Sequence, residues 1–500
     1  MYDLTNLLIE AAGFSRDSGL TVFLVGGAVR DLVLGREIRD LDFLVIEPGG
    51  AKKLADYFHR KLAFHRPVLF AAERKRNEGE VKTRRTCPER SRRVDTYQTA
   101  REDLTLNIVP PRAPGLVGDL QLRDFTINTL IIPLKNIAGL KFKVQSSCLR
   151  QGSGRQAKFK NNNSKVETRN LIKLVEDPLG AGKKDLRQKL IRTPVNPELT
   201  ISDDPLRMIR AVRLARELKF RIAPGLRKEI RRSRVKMSSV SAERIRDELE
   251  KLILLPAPSQ GFLLLEDLKL LGEIIPELQA AVDFEQKSPY HHEDLFQHSL
   301  STLDRTRADL ALRLSALFHD LGKIEAERMI SKDGEGERDY YVYWGHQDGS
   351  TDKSKEILRR LRFPKKIKEE VHFLVQHHMV NYQTDWKDST IRRLAYRLGP
   401  HLRKTLELLK ADSASLKPPF QKDKGFEELA QRISRIQLGE AQKVRCPLDG
   451  FEIQKIMAIG PGPEVGRVKK MIIEAILDGK IAANRLEAKR YLQKSICLNL

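Results

Sequence analysis

Two aspartates separated by one residue, Asp40 and Asp42, stand in the segment TVFLVGGAVRDLVLGREIRDLDFLVIE. Alternate side chains of a strand share a face, so both carboxylates project together. Two anionic groups on one face suit a pair of Mg²⁺ ions, hard cations that take oxygen ligands and act on phosphates. Upstream, Gly26-Gly27 lets backbone N–H groups approach a triphosphate closely, and Arg30 offers a planar two-pronged donor for it. A lone Asp-x-Asp is more often a solvated or salt-bridged pair. Gly-Gly-x-x-Arg-Asp followed at this distance by Arg-Asp-x-Asp is far more specific.

The elements that must carry these residues read as strand, Gly-Gly turn, short helix, turn and strand. Around them, 500 residues exceed one hydrophobic core and imply several domains. The formal charge of +24 points to a polyanionic partner, since each neutralised phosphate releases counterions. Two segments, Glu73–Arg93 and Gln145–Asn170, carry +10 of that excess and show neither strand nor helix periodicity. They read as loops or insertions, the first between strand-like stretches. From Asp204 onward amphipathic helices dominate, as in DPLRMIRAVRLARELKF and SAERIRDELEKLILL. The four cysteines form no Cys-x-x-Cys, and no apolar run approaches a membrane span. With no signal-peptide pattern at the start, a cytoplasmic protein without membrane partners is expected.

The head sequence resembles the nucleotidyltransferase superfamily, in its branch of bacterial tRNA CCA-adding enzymes and poly(A) polymerases. GGAVRD and RDLD carry the likeness, and VDTYQTARED, RDFTIN and EDPLGAGKKDLRQKLIR continue it in order. The resemblance implies a third catalytic carboxylate at Asp95 and a nucleotide-phosphate arginine at Arg123. The family begins the RDFTIN motif with two arginines; here the first is Leu122. It also implies that Asp204, Arg207, Arg210 and Arg213, in SDDPLRMIRAVR, select the incoming base. A carboxylate accepts from the amino group of C or A, and a guanidinium donates to ring acceptors. Asp204 before Pro205 equally suits an N-cap, and the arginines an ordinary solvated face.

Nine of the eleven histidines lie between His291 and His401. HHEDLFQHSL, ALFHDLGK, GHQDGS, LVQHHM and LLKADSAS resemble the HD phosphohydrolase superfamily. The implied metal ligands are His298, His319, Asp320 and Asp412, with His346 and His377 extending the site to two metals. Imidazole and carboxylate together suit first-row divalent metals. Gly322-Lys323 after the His-Asp pair could orient phosphate. The ending PLDGFEIQKIMAIGPGPEVGRVKK resembles the C-terminal region of CCA-adding enzymes that carry such a domain.

The expected fold is α+β: a mixed-sheet, polymerase-β-like head followed by an all-helical neck, body and HD domain. The head spans 1–142, an inserted loop 143–170, a connection 171–203, the neck and RNA-binding body 204–290, the HD domain 291–420 and a helical tail 421–500. The implied activity is addition of CCA to the tRNA acceptor end from CTP and ATP, with Mg²⁺ and a second divalent metal in the HD domain. Poly(A) addition, or addition of only CC or only A, are the near alternatives. An HD phosphohydrolase with a degenerate RNA-binding head is the alternative from another class.

Overall fold

A computed structural model describes residues 4–62, 64–70, 96–101, 104–137, 169–287, 290, 293–330, 340–380, 382–421, 423–435 and 445–497. Asp95, residues 73–93 and most of 143–170 lie outside them. The chain divides into two units, Met1–Val240 and Ser241–Leu500.

The first unit is built on six strands: β1 (Val22–Val25), β2 (Asp40–Val45), β3 (Val68–Phe70), β4 (Thr96–Arg101), β5 (Leu104–Val109) and β6 (Ile131–Pro133). Their order is β3-β4-β5-β2-β1-β6. Only β2 and β5 run parallel, so the sheet is mixed, as expected. The alternation within β2 decides its two faces. Leu41, Phe43 and Val45 are fully buried, and Phe43 meets Phe58 of the helix Gly50–Leu62 with ring centroids 5.5 Å apart. Leu44, on the opposite face with Asp40 and Asp42, packs with Val25, Leu120 and Ile131. Each such buried Leu or Phe contributes about 1.5–3 kcal/mol. The same strand thus anchors itself at one end and presents carboxylates at the other.

A neck completes this unit. Asn196 caps the helix Pro197–Asp203 by accepting from Glu198 N at 2.9 Å, with Pro197 at its first position. The helix Arg207–Leu218 follows, burying Met208, Ile209, Ala211, Val212, Leu214, Ala215 and Leu218. It is tied to the RDFTIN segment by charge. Arg210 Nη2 lies 2.9 Å from Asp124 Oδ2, and Arg207 Nη2 donates to Leu122 O at 2.7 Å. The neck is not purely helical, because Leu190–Ile191 and Arg221–Ile222 form a short parallel strand pair.

Among its described residues the second unit is helical, with one departure: Arg328–Ile330 and Tyr340–Val342 form an antiparallel pair. Leu295–Asp304 and Leu310–Phe318 start at Asp294 and Asp309, whose carboxylates accept from Gln297 N and Leu312 N. The helices His346–Arg360, Lys365–Gln376 and Leu402–Ser413 complete the set that carries histidine and aspartate inward. Near the C-terminus, Asp449 and Glu452 form a capping box on the helix Gly450–Met457, packed over Leu448, Ile453, Ile472 and Leu492.

Asp124 yields a prediction. Burial alone would push its carboxyl up, but the Arg210 guanidinium, the Asn128 amide and Arg207 hold it at about 2 against an ordinary 3.8. Stability from a depressed carboxyl is complete above the ordinary value and is lost as pH falls from about 4 to about 2. Asp124→Asn should cost on the order of 2–3 kcal/mol, below the range for a wholly buried pair because Arg210 is partly exposed. It should also flatten the acid limb of a denaturation profile. Urea melts at pH 7 and pH 3 that differ equally in parent and variant would refute this.

Candidate functional site

The strand–turn–helix unit that opens the head places Gly26 against both halves of a charge pair. Gly26 has φ +79°, and a Cβ there would lie 2.8 Å from Asp42 Oδ2 and 3.1 Å from Arg123 Nη1. Only glycine fits both constraints. Asp40 is exposed at the start of β2, and Asp42 sits half-buried two residues on. Burial pushes the Asp42 carboxyl up; the Asn107 hydrogen bond and the Arg123 and Arg210 charges pull against that, while Asp40 adds to it. A divalent cation would relieve the same strain, so two carboxylates on one face fit the hard-metal site expected of them.

Arg123 Nη2 pairs with the buried Asp119 at 3.2 Å, and Arg112 Nε holds the other Asp119 oxygen at 3.0 Å. The Nε of Arg123 is buried without a hydrogen-bond partner, which leaves its guanidinium with capacity for an anion. Arg30 differs from expectation. It is buried and donates to both Asp31 oxygens at 2.9 and 2.8 Å and to Asn128 Oδ1 at 2.9 Å. Its guanidinium braces Gly26-Gly27 against the RDFTIN segment rather than facing open space.

The neck arginines likewise turn inward. Arg207 is buried, 2.8 Å from Asp203, and donates to Thr200 O and Leu122 O. Arg213 pairs with Glu217, which also takes Arg36 at 2.8 Å. Asp204 Oδ1 accepts from Leu206 N at 3.3 Å in the turn between Pro197–Asp203 and Arg207–Leu218; it is not the N-cap its Asp-Pro sequence allowed, because the second helix begins at Arg207 behind Leu206. Leu122, in place of an arginine, contributes its carbonyl to Arg207. Sequence reasoning missed Asn107, Asp119 and Asp124, none of which carries a local signal of its partner.

In the second unit His298, His319, Asp320 and Asp412 converge, with one donor atom each within 4.8 Å of the others. His298 Nε2 is 3.0 Å from Asp412 Oδ1 and 3.4 Å from Asp320 Oδ2; His319 Nε2 is 3.3 Å from Asp320 Oδ2 and 3.5 Å from Asp412 Oδ1. Ligands on a tetrahedral ion at about 2.0–2.1 Å sit roughly 3.3 Å apart, so the four atoms have the spacing of one coordination shell. A second group shares Asp320: its Oδ1 is 3.1 Å from His346 Nε2 and 3.5 Å from His378 Nε2. His319, His346 and His378 each bond Nδ1 to a backbone carbonyl at 2.7–2.8 Å, which aims Nε2 into the cluster.

One expectation is corrected here. His377 does not join the group; its Nδ1 bonds Phe373 O and its ring stacks on Phe373. His378 takes that place in the group, buried on the stripe of Val371, Leu374 and Val375. That spacing of three, four and seven was a readable signal. Lys323 Nζ, 2.6 Å from Asp320 Oδ2, also bonds Gln286. Burial opposes a charge on His319, yet Asp320 and Asp412 raise its pKa to about 10. A cation entering there displaces that proton, so its affinity falls as pH falls.

A family model for the poly A polymerase head domain matches residues 22–140, and one for the probable RNA and SrmB-binding site of polymerase A matches 219–282. The A-adding tRNA nucleotidyltransferase of Deinococcus radiodurans is 28% identical over 486 residues, covering 94% of each chain. The CC-adding tRNA nucleotidyltransferase of Thermus thermophilus is 29% identical over 487 residues, covering 94% of this chain and 92% of its own. Among solved structures, the Bacillus stearothermophilus CCA-adding enzyme in complex with CTP shares the fold. Its TM-score is 0.63 at 18% identity, over 100% of this chain and 99% of its own.

The histidine cluster depends on a backbone contact that can be tested. A Cβ on Gly322 would lie 2.2 Å from His346 O and 2.5 Å from Ser350 N, and Gly322 N donates to Ser350 Oγ at 2.9 Å. Gly322→Ala must push the helix His346–Arg360 away, costing about 1–3 kcal/mol or more. Divalent metal should then bind more weakly at the histidines. A parental melting temperature and an unchanged Co²⁺ absorption titration would count against the contact.

Proposed function

We propose that the chain belongs with the bacterial tRNA nucleotidyltransferases and poly(A) polymerases it resembles, and that it adds C and A to the 3′ end of tRNA. The observation that carries this reading is the convergence of Asp42, Gly26 and Arg123 at one end of β2. A divalent ion, Mg²⁺ in this reading, supplies Lewis acidity toward the triphosphate and the attacking hydroxyl when bound. Asp40 and Asp42 hold it, and Asp40 stands exposed at the strand's start. Arg123 offers its buried guanidinium to the triphosphate, with Asp119 fixing the orientation of its plane. Gly26 keeps the space between them clear. Arg30 acts one step back, by bracing the turn.

Base selection in this reading falls to the neck. Asp204 supplies an acceptor for the exocyclic amino group that C and A share. Arg207 joins it only by releasing Asp203 and two carbonyls, so its part requires a rearrangement of the neck when substrate binds. The basic surface meets tRNA through phosphate and shape rather than sequence.

A partial activity has a specific observation in its favour: an A-adding and a CC-adding relative each match 94% of the chain. The histidine cluster favours a separate metal-dependent activity, hydrolysis of phosphoesters such as 2′,3′-cyclic phosphates. His298, His319, Asp320 and Asp412 would hold its metal, with His346 and His378 extending the site.

One assay separates these readings. tRNA lacking CCA, and tRNA ending in CC, are incubated with CTP, ATP or both, and the products sequenced. Complete CCA from both nucleotides is expected; growth that stops at CC, or occurs only on CC-ended tRNA, identifies a partial enzyme. Asp42→Ala should abolish incorporation with little change in thermal stability, and near-normal incorporation would remove the head site from consideration. His319→Ala with Asp320→Ala should leave incorporation intact while ending metal-dependent hydrolysis of cyclic phosphate. Equal loss of both activities in a folded variant would show that the two are not separate.

A further inference from the structure

The residue facing Asp42 across the parallel β2–β5 pair is not an acid. The register sets Asn107 opposite Asp42, and Asn107 Nδ2 donates to Asp42 Oδ1 at 3.0 Å. The amide is itself fixed from the far side. Gln98 on β4 lies opposite Asn107 and donates its Nε2 to Asn107 Oδ1 at 3.1 Å. With that acceptor filled by a donor, Nδ2 is the atom left to face the carboxylate. The remaining oxygen, Asp42 Oδ2, is the one that faces Gly26. Among the described residues no third His, Cys, Asp or Glu joins Asp40 and Asp42 in a group able to meet one ion.

We infer that Asn107, buttressed by Gln98, is a positioning residue for nucleotide transfer. It pins Asp42 Oδ1 so that Oδ2 is presented to the metal, with a neutral amide as the neighbour of the two β2 carboxylates. This rests on Asp40 and Asp42 being the metal's ligands. The physical logic has two parts. A carboxylate hydrogen-bonded through one oxygen loses its freedom to rotate, and such outer partners typically contribute about 10–100-fold in metal affinity or activity. A neutral amide also adds no third negative charge to a half-buried strand pair, which a carboxylate at the same register would do. Gln98 matters because an amide free to flip would turn its own oxygen toward Asp42 and repel it. The three side chains lie on three adjacent strands, β4, β5 and β2, so the relay is as rigid as the sheet.

The test uses the full chain and Mn²⁺ as probe, with free Mn²⁺ read by electron paramagnetic resonance and no nucleotide present. Asp42→Ala supplies the background from all other sites. If Asp42→Ala binds as much Mn²⁺ as the parent, the metal reading of the head fails, and the inference falls with it. If Asp42→Ala loses a site, the variants at Asn107 decide. Asn107→Ala should weaken that site about 10–100-fold and lower kcat in parallel, leaving the KM for CTP nearly unchanged. Gln98→Leu, which keeps Asn107 but frees its carbonyl, should weaken it roughly threefold. Asn107→Asp should tighten Mn²⁺ binding while lowering the metal-free melting temperature, because it adds a further carboxylate beside Asp42 that only a cation satisfies. Parental Mn²⁺ affinity and kcat in a folded Asn107→Ala would overturn the inference. So would a loss confined to KM, which would make Asn107 a nucleotide contact instead.

Discussion

A carboxylate taken out of water must be given a cation or a set of hydrogen bonds, and that constraint arranges both units of this chain. Asp119 is nearly inaccessible and is shared by Arg112 and Arg123. Asp124, also buried, fixes Arg210 and with it the angle at which the neck helix meets the sheet. Asp320 is surrounded by four histidines within 3.5 Å and by Lys323. Asp42 is the exception that defines the head site. Its strongest neighbour is a neutral amide, and burial leaves its charge only partly compensated. Asp119 and Asp124 are matched within the protein by arginines; Asp42 is matched only in part.

The same constraint explains why several arginines of the motifs are not where their motifs suggest. Arg30, Arg207 and Arg213 are occupied by Asp31 and Asn128, by Asp203 and two carbonyls, and by Glu217. A sequence motif records that a guanidinium is needed, but not which way it points. Part of the chain's basic excess is therefore spent on internal pairing and is not presented to a nucleic acid.

What was legible from sequence was what repeats locally. The period of two put Asp40 and Asp42 on one face of β2, Gly26 announced a backbone that only glycine tolerates, and the apolar spacing of Arg207–Leu218 marked a helix. The convergence of His298, His319, Asp320 and Asp412 followed from family likeness rather than from any spacing. What was hidden depends on pairing between distant segments. Asn107 faces Asp42 only because β5 joins β2 in parallel and in that register; a shift of one residue would turn it to the opposite face. His378 instead of His377 was within reach, since the buried stripe of Lys365–Gln376 points to it. His377 caps the C-terminus of that helix and His378 follows it, so one step along the chain there exchanges a side chain of the cluster for a stacked ring.

Asp320 and its partners have a consequence for the architecture of the second unit. The atoms that meet there come from helices running from Leu295–Asp304 to Leu402–Ser413, so a single ion would join chain segments as far apart as His298 and Asp412. Chemically that is a cross-link, and one that closes a long loop restricts the unfolded chain more than one that closes a short loop. The cluster is then a staple as much as a reactive centre. Its side chains would then be retained under selection for a folded unit, by the stability the ion lends and not by any reaction at it.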